Sequence, residues 1–110
     1  MSGLASLYNR PYYSIVQRMP YELPLPSRLT PWRVKIFDNE RVEAPHVTIV
    51  NKRRMWRVDL RTLEFMDSEP PRRDVPDDVM TQIRTAHAVL IREWDAKHPT
   101  NPVDSHSDQT

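Results

Sequence analysis

The side chains best suited to chemistry alternate with apolar residues along three segments of the chain. His46 and Thr48, for example, alternate with Val47 and Ile49. Successive side chains of a β-strand point to opposite faces of the sheet, so the polar residues share one face if the apolar residues share the other. We expect this polar face to lie away from the helix that covers the core. Its members are Arg33, Lys35, His46, Thr48, Arg57, Asp59 and Arg61.

These residue types suit the binding of phosphate or RNA, or the cleavage of RNA without a metal ion. His46 is the candidate catalytic residue, because an imidazole acts as a base or an acid near neutral pH. Cations stabilise the negative charge of a phosphate in such chemistry. The candidate RNA- or phosphate-binding residues are therefore Arg33, Lys35, Arg57 and Arg61. The alternative is a solvated face whose charges serve solubility alone.

The other three histidines have structural explanations, and we predict neither a metal site nor a cofactor. His87 falls on the apolar stripe of a predicted helix, His98 suits a helix C-terminal cap, and His106 lies in a polar tail. No pair has a metal-binding spacing such as His-Glu-x-x-His. The chain has no cysteine, and its single glycine, Gly3, excludes the glycine-rich loops that hold nucleotide phosphates.

Alternating hydrophobicity predicts three strands, at residues 32–37, 46–50 and 55–61. Residues 62–66 continue the third strand or form a short fourth one. Asn51 and Lys52 are a predicted tight turn, because Asn tolerates the left-handed conformation almost as glycine does.

One long amphipathic helix is predicted after the strands. Val79, Ile83, Leu90 and Trp94 recur at helical spacing in a segment that begins near Pro76 and ends before residue 99. The sequence therefore predicts an α+β fold, with a three- to four-stranded antiparallel sheet packed on one C-terminal helix.

The first 31 residues differ from the rest because they are rich in proline and tyrosine. We predict an extended N-terminal arm at residues 1–31, an α+β domain at 32–98 and a polar C-terminal tail at 99–110. Tyrosine is favoured at interfaces. The candidate partner-binding residues are therefore Tyr8, Tyr12, Tyr13 and Tyr21. The equal alternative is an arm that packs on its own domain.

The size and charge of the chain limit the classes of function. With 110 residues there is room for one domain, and the domain proper is near the size at which a single core is marginal. We therefore expect a protein partner or a homo-oligomer to complete it. The net charge of +1 gives no bulk attraction to nucleic acid or membranes. We expect a cytoplasmic protein, since no apolar run is long enough to span a membrane and no signal peptide is evident.

Residues 42–50, Val-Glu-Ala-Pro-His-Val-Thr-Ile-Val, resemble a short signature of a known family. The signature is Glu-Pro-Pro-His-Val-His-Val, and it belongs to small bacterial proteins catalogued as domain of unknown function four-one-six-zero. The resemblance covers residues 32–98. Ala44 replaces the first proline and Thr48 the second histidine, so only His46 carries over. Genes of that family often lie beside a second small protein, as in toxin–antitoxin pairs.

Two hypotheses follow. The first, implied by the resemblance and by the polar face, is a toxin–antitoxin-like component that binds or cleaves RNA and is held by a protein partner. The second is a non-catalytic interaction module, or a subunit of a larger complex, that docks through its arm and its open sheet edge.

Overall fold

The structure is a computed structural model and describes residues 20–38 and 43–104. The strands are β1 (Tyr21–Glu22), β2 (Arg33–Ile36), β3 (His46–Asn51) and β4 (Arg54–Asp59). The helices are α1 (Asp77–Thr85) and α2 (His87–Lys97), with short 3₁₀ helices at Ser27–Leu29 and Arg72–Asp74. This content confirms the predicted α+β class.

The four strands form one antiparallel sheet in the order β1-β2-β3-β4. The fourth strand is thus β1, which pairs with β2 at one edge of the sheet. At the other edge, Phe65 forms a single bridge to Val58, and the Met66 amide donates to the Arg57 carbonyl at 2.9 Å. Residues 62–66 therefore cover part of the β4 edge without forming a strand of their own.

The turn between β3 and β4 differs from the prediction. Asn51 is the last residue of β3 and pairs with Arg54, so the turn consists of Lys52 and Arg53. Lys52, rather than Asn51, has a positive φ, of 56°. A non-glycine residue in that region is held against a steric preference of about 1–2 kcal/mol. The register of the hairpin decides which residue takes this conformation.

The core lies between one face of the sheet and the two helices. The apolar residues that alternation placed inward are buried in it, as are the helical residues Val79, Ile83, Leu90 and Trp94. Trp32 is the exception among the predicted core residues, because it is only half-buried. The inward residues of the sheet are Val34, Ile36, Val47, Ile49, Trp56 and Val58.

The predicted single helix is two helices with a break at Ala86. This residue has φ −94° and ψ 13°, outside the α-helical range, and serves as the end of α1 and the start of α2. No glycine or proline marks the break in the sequence. Next to the break, the His87 ring contacts the Leu60 carbonyl through Nε2. His87 is thus a half-buried structural histidine, as predicted.

Residues on both sides of the predicted domain contribute to its core. Leu23 and Leu29, from the segment assigned to the arm, are 8% and 7% exposed, and Val103, from the segment assigned to the tail, is 3% exposed. The Asn101 carbonyl accepts a hydrogen bond from Trp94 Nε1 at 2.7 Å. The packed unit of the described residues therefore extends well beyond residues 32–98 in both directions.

Candidate functional site

The strand pairing places the predicted polar residues on a common face of the sheet. Thr48 of β3 pairs with Lys35 of β2 on one side and with Arg57 of β4 on the other. Directly paired residues project from the same face. By the same register, Arg33, His46 and Asp59 also project from this face. The alternation in the sequence therefore predicted correctly that these six residues share a face, whereas Arg61, the seventh predicted member, lies beyond the end of β4.

Arg57 is the most constrained residue of this polar sheet face. Its Nε and Nη2 donate to the two carboxylate oxygens of Asp67 at 2.9 and 2.7 Å, and its Nη1 donates to Glu43 Oε1 at 2.8 Å. The hydrogen bonds from Arg57 lower the pKa of Asp67, although partial burial opposes this. The same bonds raise the pKa of Arg57. One cation thus faces two carboxylates, and the group carries a net negative charge.

Two other predicted phosphate ligands are also paired with carboxylates. Arg33 binds both oxygens of Glu22, at 2.8 and 3.0 Å, and these hydrogen bonds lower the pKa of Glu22. Arg61 Nη2 donates to Asp59 Oδ2 at 3.0 Å. Lys35 differs from them, because its Nζ lies 6.0 Å from the centroid of the Phe37 ring. Of the four predicted phosphate-binding residues, only Lys35 makes no ion pair within the described residues.

His46 projects from the polar face but is completely buried, with 0% of its surface exposed. Its Nδ1 donates to the Ala44 carbonyl at 2.8 Å, and its ring lies 5.4 Å from the Trp94 ring. Its Nε2 is 3.8 Å from Glu43 Oε1. The expectation that His46 lies on an uncovered face is therefore wrong. Alternation sets the direction of its side chain, but the end of α2 and the segment that follows it cover this corner of the sheet.

A shallow pocket of about 450 Å³ opens beside the Arg57 ion pairs. Phe37, Met55 and the buried Thr48 line it together with the charged groups. The carboxylates of Glu43 and Asp67 already surround the one guanidinium of this pocket. An anion entering the pocket would have to displace them.

Only one of the four predicted partner-binding tyrosines lies within the described residues. Tyr8, Tyr12 and Tyr13 lie outside the described residues. Tyr21 is in β1, pairs with Ile36 and is half-buried against the core. Burial, followed by the charge of Glu93, raises its pKa.

A second pocket, also of about 450 Å³, was not predicted and lies beside β1. Its apolar lining consists of Leu23, Pro24, Leu25, Pro26, Pro31 and Trp32. The Glu22–Arg33 ion pair contributes its charged residues. We call this pocket the edge groove. The sequence signal for it was the row of prolines near Trp32, which alone does not show that the segment folds back beside a strand.

The described part of the chain has two further properties that bear on function. It contains no group of three or more His, Asp or Glu residues placed to hold a metal ion. Neither α1 nor α2 combines the length and the apolar character that a membrane-spanning helix needs.

No protein-family model, curated protein or solved structure matches this chain. Nothing in these comparisons supports the resemblance of residues 42–50 to the family signature. Within it, Pro45 and His46 are buried at the start of β3.

Proposed function

We propose that this protein is a non-catalytic interaction module that binds an extended segment of a partner protein along the edge of its sheet. The edge groove is the observation that carries this proposal. It is an apolar groove beside a two-residue edge strand, and no described strand pairs with the outer side of that strand.

The backbone of β1 fits the addition of a strand. The Leu23 amide donates to the Val34 carbonyl at 2.9 Å, so the backbone groups of Leu23 point towards β2. Because neighbouring residues of a strand alternate, the N–H and C=O of Glu22 point away from β2. An extended peptide can bond to Glu22 and place alternate side chains against Leu25 and Trp32 in the groove.

The polar sheet face supports an interaction module better than an RNA-cleaving enzyme. His46 is buried, and Arg57 is held by two carboxylates. A general base must reach the proton that it removes, and a phosphate ligand must have donors to offer. These residues instead serve to hold the face together. The gene arrangement of the resembling family adds support for a protein partner.

The proposal can be tested by selecting peptides from a displayed library against the full-length protein. We expect the selected peptides to be extended and apolar and to shift the amide resonances of residues 22–33. Leu25→Asp places a charge in the edge groove and should weaken their binding about tenfold or more, as expected for loss of one interface anchor.

The matched control is Met55→Asp, which makes a similar change on the opposite face of the sheet. Met55 is 54% exposed, and we expect its substitution to leave peptide binding unchanged. Resonance shifts centred on residues 54–57, or equal binding by the two variants, would contradict the proposal. If the occupant is a second copy of the chain, sedimentation will show a dimer without peptide that Leu25→Asp dissociates.

The toxin–antitoxin-like hypothesis makes a different prediction, which a direct assay separates. It predicts that the purified protein binds or cleaves RNA through the polar sheet face and that its induced expression stops bacterial growth. We expect intact RNA and normal growth. Cleavage that is lost on replacement of Lys35 or Thr48, two residues of the polar sheet face, would favour that hypothesis over ours.

A further inference from the structure

Four exposed cations lie together at the end of the sheet opposite His46. Lys52 and Arg53 form the β3–β4 turn, while Arg72 and Arg73 begin the 3₁₀ helix that precedes α1. None of the four makes an ion pair with any residue of the described ranges. We call them the hairpin cluster.

Two contacts hold the two halves of the hairpin cluster together. Arg54, next to the turn, forms an ion pair with Asp74, which ends the 3₁₀ helix. Trp56 Nε1 donates to the Pro71 carbonyl at 3.1 Å. The Arg54 guanidinium also lies over the Trp56 ring, at 4.8 Å from its centroid. Pro71 and Asp74 flank Arg72 and Arg73, so these two contacts fix the 3₁₀ helix beside the hairpin.

The charge here is unlike that of the rest of the molecule. Residues 52–54 with 72 and 73 supply five positive charges, against three negative charges. These are Asp74, which pairs with Arg54, and Asp67 and Glu69, which line a pocket with Arg72 and Arg73. The whole chain has a net charge of only +1. The other arginines of the sheet are neutralised by carboxylates, so the excess positive charge is concentrated at this end.

From this arrangement we infer that the hairpin cluster binds the sugar–phosphate backbone of a nucleic acid. Exposed lysines and arginines bind phosphates by releasing counterions, and this term needs no apolar contact. An acidic protein partner fits less well, because the anchors of protein interfaces lie in well-packed, desolvated pockets, whereas these four cations are exposed. The one exposed large apolar residue among those described is Met55, which projects from the opposite face to Arg54.

The conformation of the turn adds a second observation. Lys52 takes a left-handed conformation that Asn or Gly adopts more easily. A lysine at this position lowers the stability of the fold but places an exposed charge at the tip of the hairpin. Residues held in such conformations cluster at functional sites.

The test measures the binding of a labelled twelve-nucleotide oligouridylate to the full chain by fluorescence anisotropy, from 50 to 200 mM salt. Four phosphate contacts on a single strand predict a slope of about −3 for log affinity against log salt. Loss of two contacts, in Arg72→Gln/Arg73→Gln, should weaken binding about 25-fold at 0.1 M salt and reduce the slope by about 1.4.

The matched control is Arg84→Gln/Arg92→Gln, which removes the same charge from exposed positions on the helices. We expect it to bind as the wild type does. Equal weakening in the two double variants would overturn the proposal, because net charge alone would then explain binding. If the cluster variant fails to fold, Lys52→Asn replaces it, with an expected loss of about fivefold at 0.1 M salt.

Binding of two further ligands identifies the chemical class that the hairpin cluster recognises. Oligothymidylate of the same length distinguishes RNA from DNA, and either one supports the proposal if it binds with the stated slope. A twelve-residue polyglutamate peptide that binds as tightly as the oligonucleotides would overturn it in favour of an acidic protein. No binding of either nucleic acid at 50 mM salt would also overturn it.

Discussion

The polar sheet face and the hairpin cluster carry the same kinds of cation but differ in what surrounds them. On the sheet face, Arg57 is bound by two carboxylates and Arg33 by one. In the hairpin cluster, Arg53, Arg72 and Arg73 are exposed without such partners among the described residues. The difference shows that the availability of a cation depends on neighbours distant in sequence, since Asp67 and Glu43 are 10 and 14 residues from Arg57.

The strongest test of this comparison is His46→Ala, which should destabilise the protein by about 2–4 kcal/mol. The substitution leaves a cavity beside Trp94 and removes the hydrogen bond to the Ala44 carbonyl. Urea unfolding followed by circular dichroism measures the change. A loss below about 0.5 kcal/mol would mean that His46 is exposed in solution, and the sheet face would again be a candidate for catalysis.

A medium-sized effect is expected for Arg57→Gln. Removing this guanidinium leaves the carboxylates of Glu43 and Asp67 near each other without their shared cation. We expect the free energy of unfolding to fall by about 1 kcal/mol, at the upper end for a partly exposed pair because Arg57 joins two carboxylates. Arg53→Gln is the matched control and should change it by less than about 0.5 kcal/mol. Equal effects would remove the distinction between the two regions.

Most of the fold was predictable from the sequence because it depends on local periodicity. The alternation of Val47 and Ile49 with His46 and Thr48 predicted the faces of β3, and the pairing with β4 confirms them. The strand β1 was not predicted, because two residues are too few to show a period. The break at Ala86 was not predicted either, since no helix-breaking residue marks it.

The candidate site was predictable only in part, because side-chain direction and side-chain availability have different causes. Period two predicted that Arg57 and His46 share a face. The burial of His46 depends on Trp94, which lies 48 residues further along the chain and meets it only after the helices have packed. No local pattern contains that information.

The acid dependence of stability should differ between Arg57→Gln and the wild type. Arg57 lowers the pKa of Asp67 below its ordinary value of 3.8 in the folded protein. A carboxylate with a lowered folded pKa stabilises the fold above its unfolded pKa, and this contribution is lost as the pH falls through the folded pKa. We therefore expect the difference in unfolding free energy between wild type and Arg57→Gln to shrink as the pH falls below about 4. Arg53→Gln, measured alongside, should follow the wild-type curve, and a parallel curve for Arg57→Gln would show that the ion pair is absent in solution.

The smallest expected change, Lys52→Asn, separates stability from binding in the hairpin cluster. Asn adopts the left-handed conformation more easily than Lys, so we expect the free energy of unfolding to rise by about 0.5 kcal/mol. The same substitution removes one exposed cation and should weaken oligouridylate binding. Lys52→Arg is the matched control, because it keeps the charge and the steric cost and should change neither quantity. A protein that becomes more stable yet binds less tightly would show that Lys52 is kept at the turn for its charge. If Lys52→Asn binds as the wild type does, the turn is simply a strained connection, and the hairpin cluster resembles the polar sheet face in having charges without a ligand.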